Sequence, residues 1–98
     1  MEQSVTGGGI DRDATIVNRR GLHARAASRF VQTASEFDAE VSVTKGGQTV
    51  SGSSIMGLMM LAAGPGTEIQ IHAEGPQAAQ AVDAICAMIA AKFGEEEG

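Results

Sequence analysis

Glu68 to Ala73 reads EIQIHA, with Ile69, Ile71 and Ala73 alternating against Glu68, Gln70 and His72. A period of two puts one set on each face of a strand, so this segment is apolar on one side and polar on the other. Such a strand belongs to a sheet with one face in water. Any helices must therefore share the opposite face. The same alternation recurs where Val41 and Val43 face away from Ser42 and Thr44, and Gly46-Gly47 leads into Gln48-Thr49-Val50 as the returning arm of a hairpin. Ala14-Thr15-Ile16-Val17 supplies another short, mostly β-branched strand, broken by Arg19-Arg20-Gly21.

Between these strands the period lengthens to that of a helix. From Ala24 to about Glu36, Ala27, Val31 and Ala34 fall on one face with Phe30 beside them, while Arg29 and Gln32 point away. SGSSIMGLMMLAA reads as a short helix capped by Ser53 or Ser54 and ended by Gly64-Pro65-Gly66. Pro76 opens a last helix in which Ala78, Val82, Ile85, Ile89 and Phe93 recur at helical spacing, with Cys86 beside that stripe as a core filler. The order βαββαβα predicts an α/β (α+β) open-faced sandwich, a four-stranded antiparallel sheet with three helices on one face. Residues 1–12, with a triple glycine, read as a flexible leader; 13–94 form the domain; 95–98 are a solvated acidic tail.

Ninety-eight residues leave no room for a separate cofactor domain, and no cofactor is expected. Seven Lys+Arg against twelve Asp+Glu give a net charge of -5, which argues against nucleic acid because phosphate binding needs a broad basic surface. Ile55 to Ala63 is the longest apolar run and is far too short for a bilayer. The N-terminal residues lack the basic start and apolar core of a signal peptide, and one cysteine cannot form an internal disulfide. A cytoplasmic monomer is the expectation. Two histidines and one cysteine, with no HxxxH or CxxC spacing, predict no metal site.

The stretch RRGLHARAAS, Arg19 to Ser28, sets His23 where a loop becomes a helix. The first backbone N–H groups of that helix, about Ala24 to Ala26, should point toward the imidazole. They favour an anion there together with the helix dipole, and Arg25 adds a full positive charge. A histidine that accepts a phosphoryl group becomes such an anion. A surface histidine acting as a poor helix cap is the plainer alternative. His72 lies on the polar face of its strand and reads as solvated.

Gly21-Leu22-His23-Ala24-Arg25 with its Ala-rich helix resembles the active-site motif of HPr, the histidine phosphocarrier of the bacterial phosphotransferase system. Ser54-Ile55-Met56-Gly57-Leu58-Met59-Met60-Leu61 resembles the family's second signature, and the likeness runs from about Asp13 to Phe93. The resemblance implies that His23 takes a phosphoryl group on Nδ1 from enzyme I and passes it to an EIIA-type protein, with Arg25 holding phosphoryl oxygens. It also implies phosphorylation of Ser54 by an HPr kinase/phosphorylase. Both branches of the family, sugar and nitrogen-related, are resembled. Ala26 stands where the family usually has proline, a departure that bears on transfer rate and partner preference rather than fold.

A two-turn helix cannot bury every side, so some of Ile55, Met56, Met59 and Met60 should form an exposed apolar patch. In the family this helix and the first one dock acidic partners; Ala24 lies in that face, and Arg19, Arg20, Arg25 and Arg29 would ring it with positive charge. Ser54 should also act as a helix cap. Two other functions fit the same element order: a regulatory adaptor of this fold that binds partners without phosphoryl transfer, and a small ferredoxin-like ligand-binding domain with no reactivity at His23.

Overall fold

The computed structural model describes residues 9–95, so the expectations for the leader before Gly9 and for Glu96 to Gly98 lie outside the described residues. The elements are β1 (Ile10–Thr15), α1 (Ala24–Ala34), β2 (Glu40–Lys45), β3 (Gln48–Ser51), α2 (Ile55–Met60), β4 (Glu68–Glu74), α3 (Ala78–Ala90) and one 3-10 turn (Lys92–Gly94). The four strands form one antiparallel sheet in the order β1-β4-β2-β3. All three helices pack on one face, as the alternation in β4 demands: Ile69, Ile71 and Ala73 are fully buried while Glu68, Gln70 and Glu74 are exposed.

β1 corrects the sequence reading. It begins at Ile10 rather than Ala14, so residues 10–12 belong to the sheet and not to a leader, and Ile10 lies opposite Ala73. Its apolar pattern is masked because Arg12 occupies a helix-side position. The guanidinium lies along α3 and reaches Asp83 at 3.1 Å, a long side chain covering apolar surface with its charge at the rim. Ile16 lies beyond the strand but is fully buried, and its N–H donates to Thr67 O at 2.9 Å.

The core fills the space between sheet and helices. α1 contributes Ala26, Ala27, Phe30 and Ala34, and α3 contributes Ala78, Ala81, Val82, Ile85 and Ile89. Phe93 also is buried, although it lies past the end of α3 in a left-handed conformation at φ 56°. Cys86 is half-buried against the core, and burial pushes its thiol up despite the nearby Arg12. Ala26 lies in the first turn of α1 and is fully buried.

His72 is more than a solvated side chain. Its Nδ1 lies 2.7 Å from Asp11 Oδ1 on β1, and its Nε2 lies 2.8 Å from Glu74 Oε2 on β4. The hydrogen bond with Glu74, then that with Asp11, raises the imidazole above its ordinary 6.5, outweighing partial desolvation. A raised histidine stabilises the fold fully below its unfolded value of 6.5, and the contribution disappears as pH rises through the folded value. His72→Gln should therefore lower the melting temperature more at pH 5.5 than at pH 8.5. Since the side chain is 36% exposed, solvent screening keeps the acid-side loss small. Equal losses at both pH values would show that the two carboxylates do not favour the charged ring.

Candidate functional site

The histidine site is built from the loop between β1 and α1. Asn18 is fully buried there, and its Nδ2 donates to Gly21 O at 2.9 Å. Gly21 returns a backbone bond to Asn18 O at 3.2 Å, closing a tight turn. Gly21 has φ +66°, and a Cβ at this position would lie 2.4 Å from Ala63 O; both conformation and space require glycine. Leu22 N donates to Ala63 O at 2.9 Å, fastening the loop to the segment after α2.

This turn delivers His23 to the N-cap of α1, with φ -76° and ψ 179°. Ala27 N donates to His23 O at 2.8 Å to start the helix, and Arg25 N donates to His23 Nδ1 at 3.3 Å. The ring thus caps its own helix, using a nitrogen where Ser or Asp would use an oxygen. Its other nitrogen, Nε2, is hydrogen-bonded to Glu95 Oε2. Glu95 Oε1 accepts from Asn18 Nδ2 at 3.1 Å, so the carboxylate spans loop and imidazole. Burial acts to raise the Glu95 carboxyl, but hydrogen bonds from His23 and Asn18 and the charges of His23 and Arg20 hold it below the ordinary 4.5.

Glu95 therefore does not belong to a solvated tail; 12% of its side chain is exposed, against 16% for His23. Lys92, Phe93 and Gly94 have φ of 59°, 56° and 75°, and these left-handed residues turn the chain back after α3. For the two non-glycine residues the turn costs about 1–2 kcal/mol each. Burying Phe93 contributes about 1.5–3 kcal/mol, and the two Glu95 hydrogen bonds offset more of that cost.

The remaining predicted residues divide into a charged set and an apolar set. Arg19, Arg20, Ala24, Arg25 and Arg29 are exposed. On α2, Met56 and Met60 are each 67% exposed, Ile55 40% and Met59 37%, whereas Leu58 is fully buried. One apolar face of this short helix therefore meets solvent. Ser54 is its N-cap: Gly57 N donates to Ser54 Oγ at 2.9 Å. Ser53 N instead donates to Ser51 Oγ at 3.1 Å, so Ser54 alone of the two caps the helix. At the other end Lys45 Nζ donates to Leu61 O at 2.8 Å, placing a cation where the helix dipole is negative. Sequence reasoning missed Asn18 and Glu95. The available signal for the second was Phe93, an apolar residue whose burial tethers the chain just before Glu95.

A small open sandwich with an imidazole at the mouth of its first helix is the architecture of a histidine phosphocarrier, and the comparisons agree. The family model described as PTS HPr component phosphorylation site matches residues 10–91. The chain is 46% identical over 88 residues to the phosphocarrier protein HPr of Cupriavidus necator, covering 90% of this chain and 99% of that one. It is also 46% identical over 86 residues to the phosphocarrier protein NPr of Shewanella violacea, covering 88% and 94%. The crystal structure of HPr-C-His from Thermoanaerobacter tengcongensis superposes with a TM-score of 0.85 at 41% identity, covering 90% of this chain and 99% of that one. The chain belongs to the HPr family.

Proposed function

We propose that this chain carries a phosphoryl group on Nδ1 of His23, receiving it from phosphorylated enzyme I and passing it to an EIIA-type protein. The observation that carries the reading is the N-cap geometry, with Nδ1 turned toward the first free N–H groups of α1 and Arg25 N 3.3 Å away. When Nδ1 bonds to phosphorus, the Arg25 N–H loses its ring acceptor and is available to a phosphoryl oxygen. The helix dipole and the exposed Arg25 side chain favour the same charge. A retained, positioned imidazole supports the carrier over a non-transferring adaptor. One copy suffices, because a single chain supplies imidazole, helix terminus and apolar face.

Docking falls to the exposed face of α2 with Ala24 and the surrounding Arg19, Arg20, Arg25 and Arg29. Thioethers adapt to more than one partner surface, and the positive rim steers acidic partners. Met56→Glu should weaken phosphoryl exchange with enzyme I while shifting stability by no more than about 0.5 kcal/mol, because an exposed residue is changed. A large fall in melting temperature would show that Met56 acts in the core instead.

Ser54 combines its capping role with a regulatory one in this reading. A phosphate on its Oγ would sit at the start of α2 and add about two negative charges beside a face that meets acidic partners. HPr kinase/phosphorylase is the enzyme class that would add it. HPr relatives match at 46% and 52% identity and an NPr relative at 46%, so both sugar uptake and nitrogen physiology are kept as settings. Among the described residues no helix is long and apolar enough to cross a membrane, which fits a carrier diffusing between cytoplasmic partners. The reading is tested by incubating the protein with phosphoenolpyruvate and enzyme I, then mapping the phosphate by 31P and 15N NMR. The expected signal is a single N–P bond at His23 Nδ1; phosphate confined to His72 would end the carrier assignment.

A further inference from the structure

Among the contacts around the histidine, the Glu95 carboxylate on His23 Nε2 has no place in the transfer as described so far. It is brought there by a costly left-handed turn, shares Asn18 with the loop, and is half-buried. The groups facing the ring are few. Arg20 comes from the preceding loop and Arg25 from α1, while Ala62, Ala63 and Gly64 close the other side without a titratable group. Glu95 is the acceptor on the edge of the ring opposite Nδ1.

We propose that Glu95 is a positioning residue for phosphoryl transfer, holding the Nε2 proton of His23 so that Nδ1 presents its lone pair and the phosphorylated ring keeps that proton. This rests on the carrier reading and deepens it. The hydrogen bond made by one ring nitrogen decides which of the two carries the proton. Arg25 N–H already donates to Nδ1, and the carboxylate on Nε2 accepts, so both contacts favour the same tautomer.

The chemistry then balances without a proton leaving the ring. Nδ1 of the neutral, Nε2-protonated imidazole attacks phosphorus on the enzyme I phosphohistidine. A new N–P bond forms, the donor N–P bond breaks, and its electron pair returns to the donor imidazole. His23 is left as a phosphorylated imidazolium whose Nε2–H is bonded to Glu95. In the onward step the acceptor histidine attacks phosphorus, the His23 N–P bond breaks, and the pair returns to Nδ1. Because Nε2 has kept its proton, the leaving group is neutral imidazole rather than imidazolate. A carboxylate at Nε2 stabilises the cationic intermediate that makes this possible.

The test compares wild type, Glu95→Ala and Glu95→Gln. Transfer from His23 to an EIIA-type protein is measured alongside the tautomer of the unphosphorylated His23 ring, read by 15N NMR. A charge-assisted hydrogen bond of ordinary strength corresponds to about a tenfold change in rate. Glu95→Ala should therefore transfer about tenfold more slowly, with the Nδ1-protonated tautomer of the free ring rising by about the same factor. Glu95→Gln retains an acceptor without the charge and should lie between the other two. Melting curves of both variants establish that they are folded, and glutamine serves as the second probe if alanine unfolds. An unchanged tautomer ratio overturns the proposal whatever the rate, and so does a wild-type transfer rate with a shifted ratio. The carrier reading is judged separately, on whether wild type is phosphorylated at His23 at all.

Discussion

His23→Ala is expected to abolish phosphoryl acceptance from enzyme I, a loss of more than about a thousandfold, while His72→Ala keeps wild-type labelling. Alanine offers no nucleophile, and among the described residues the other imidazole is badly placed to substitute. His72 has both ring nitrogens engaged by carboxylates, those of Asp11 and Glu74, which would repel an incoming phosphoryl group. His23 instead stands at the positive end of an eleven-residue helix. The readout is an acid-labile, base-stable phosphate on wild type and His72→Ala only. Labelling of His23→Ala at the wild-type level would remove the carrier function from this chain.

Phe93→Ala should be the most damaging single change to stability among those considered, costing about 3–5 kcal/mol. The ring is 1% exposed and belongs to the main apolar cluster, so truncation leaves a cavity. A small domain has about 5–15 kcal/mol in total, and the melting temperature should fall by about 15 °C or more. The same change removes the anchor of the left-handed turn, so Glu95 should separate from His23 before the rest of the domain melts. Urea titration with 15N NMR of the imidazole follows both events. A loss below about 1 kcal/mol would mean that Phe93 packs loosely and that Glu95 is held by its hydrogen bonds alone.

Where one face of an element is apolar throughout, the sequence reading agrees with the structure. β4 and the β2–β3 hairpin alternate cleanly, and α1 shows its buried Ala27, Phe30 and Ala34 at helical spacing. β1 was harder to see because charged residues occupy both of its faces: Asp11 and Asp13 on the open side, Arg12 on the helix side. The end of α3 was misread for a different reason. Phe93 keeps the helical spacing of Ile85 and Ile89, yet it reaches the core after the backbone has reversed its hand, which no periodicity reports.

At the site, the motif around His23 and the cap at Ser54 were legible because each depends on neighbours within a few residues. The contact between His23 and Glu95 spans seventy-two positions, and only the apolar Phe93 just before Glu95 hints that the chain returns to the core there. Asn18 was invisible for the same reason: its partners are Gly21, close by, and Glu95, at the far end of the fold.

The route of the chain through the sheet has a practical consequence for handling the protein. β1 runs toward the imidazole, so the strand's six residues, spanning about 20 Å, separate Ile10 from the loop that carries His23. Glu95, by contrast, touches that histidine. A dye or affinity label joined ahead of Ile10 starts a full strand length from the reacting atom. The same label joined directly after Glu95 starts beside it, where its bulk competes with whatever protein must approach. Splicing the two points together to open the chain elsewhere would need a linker of at least about six extended residues, laid along the outside of the domain.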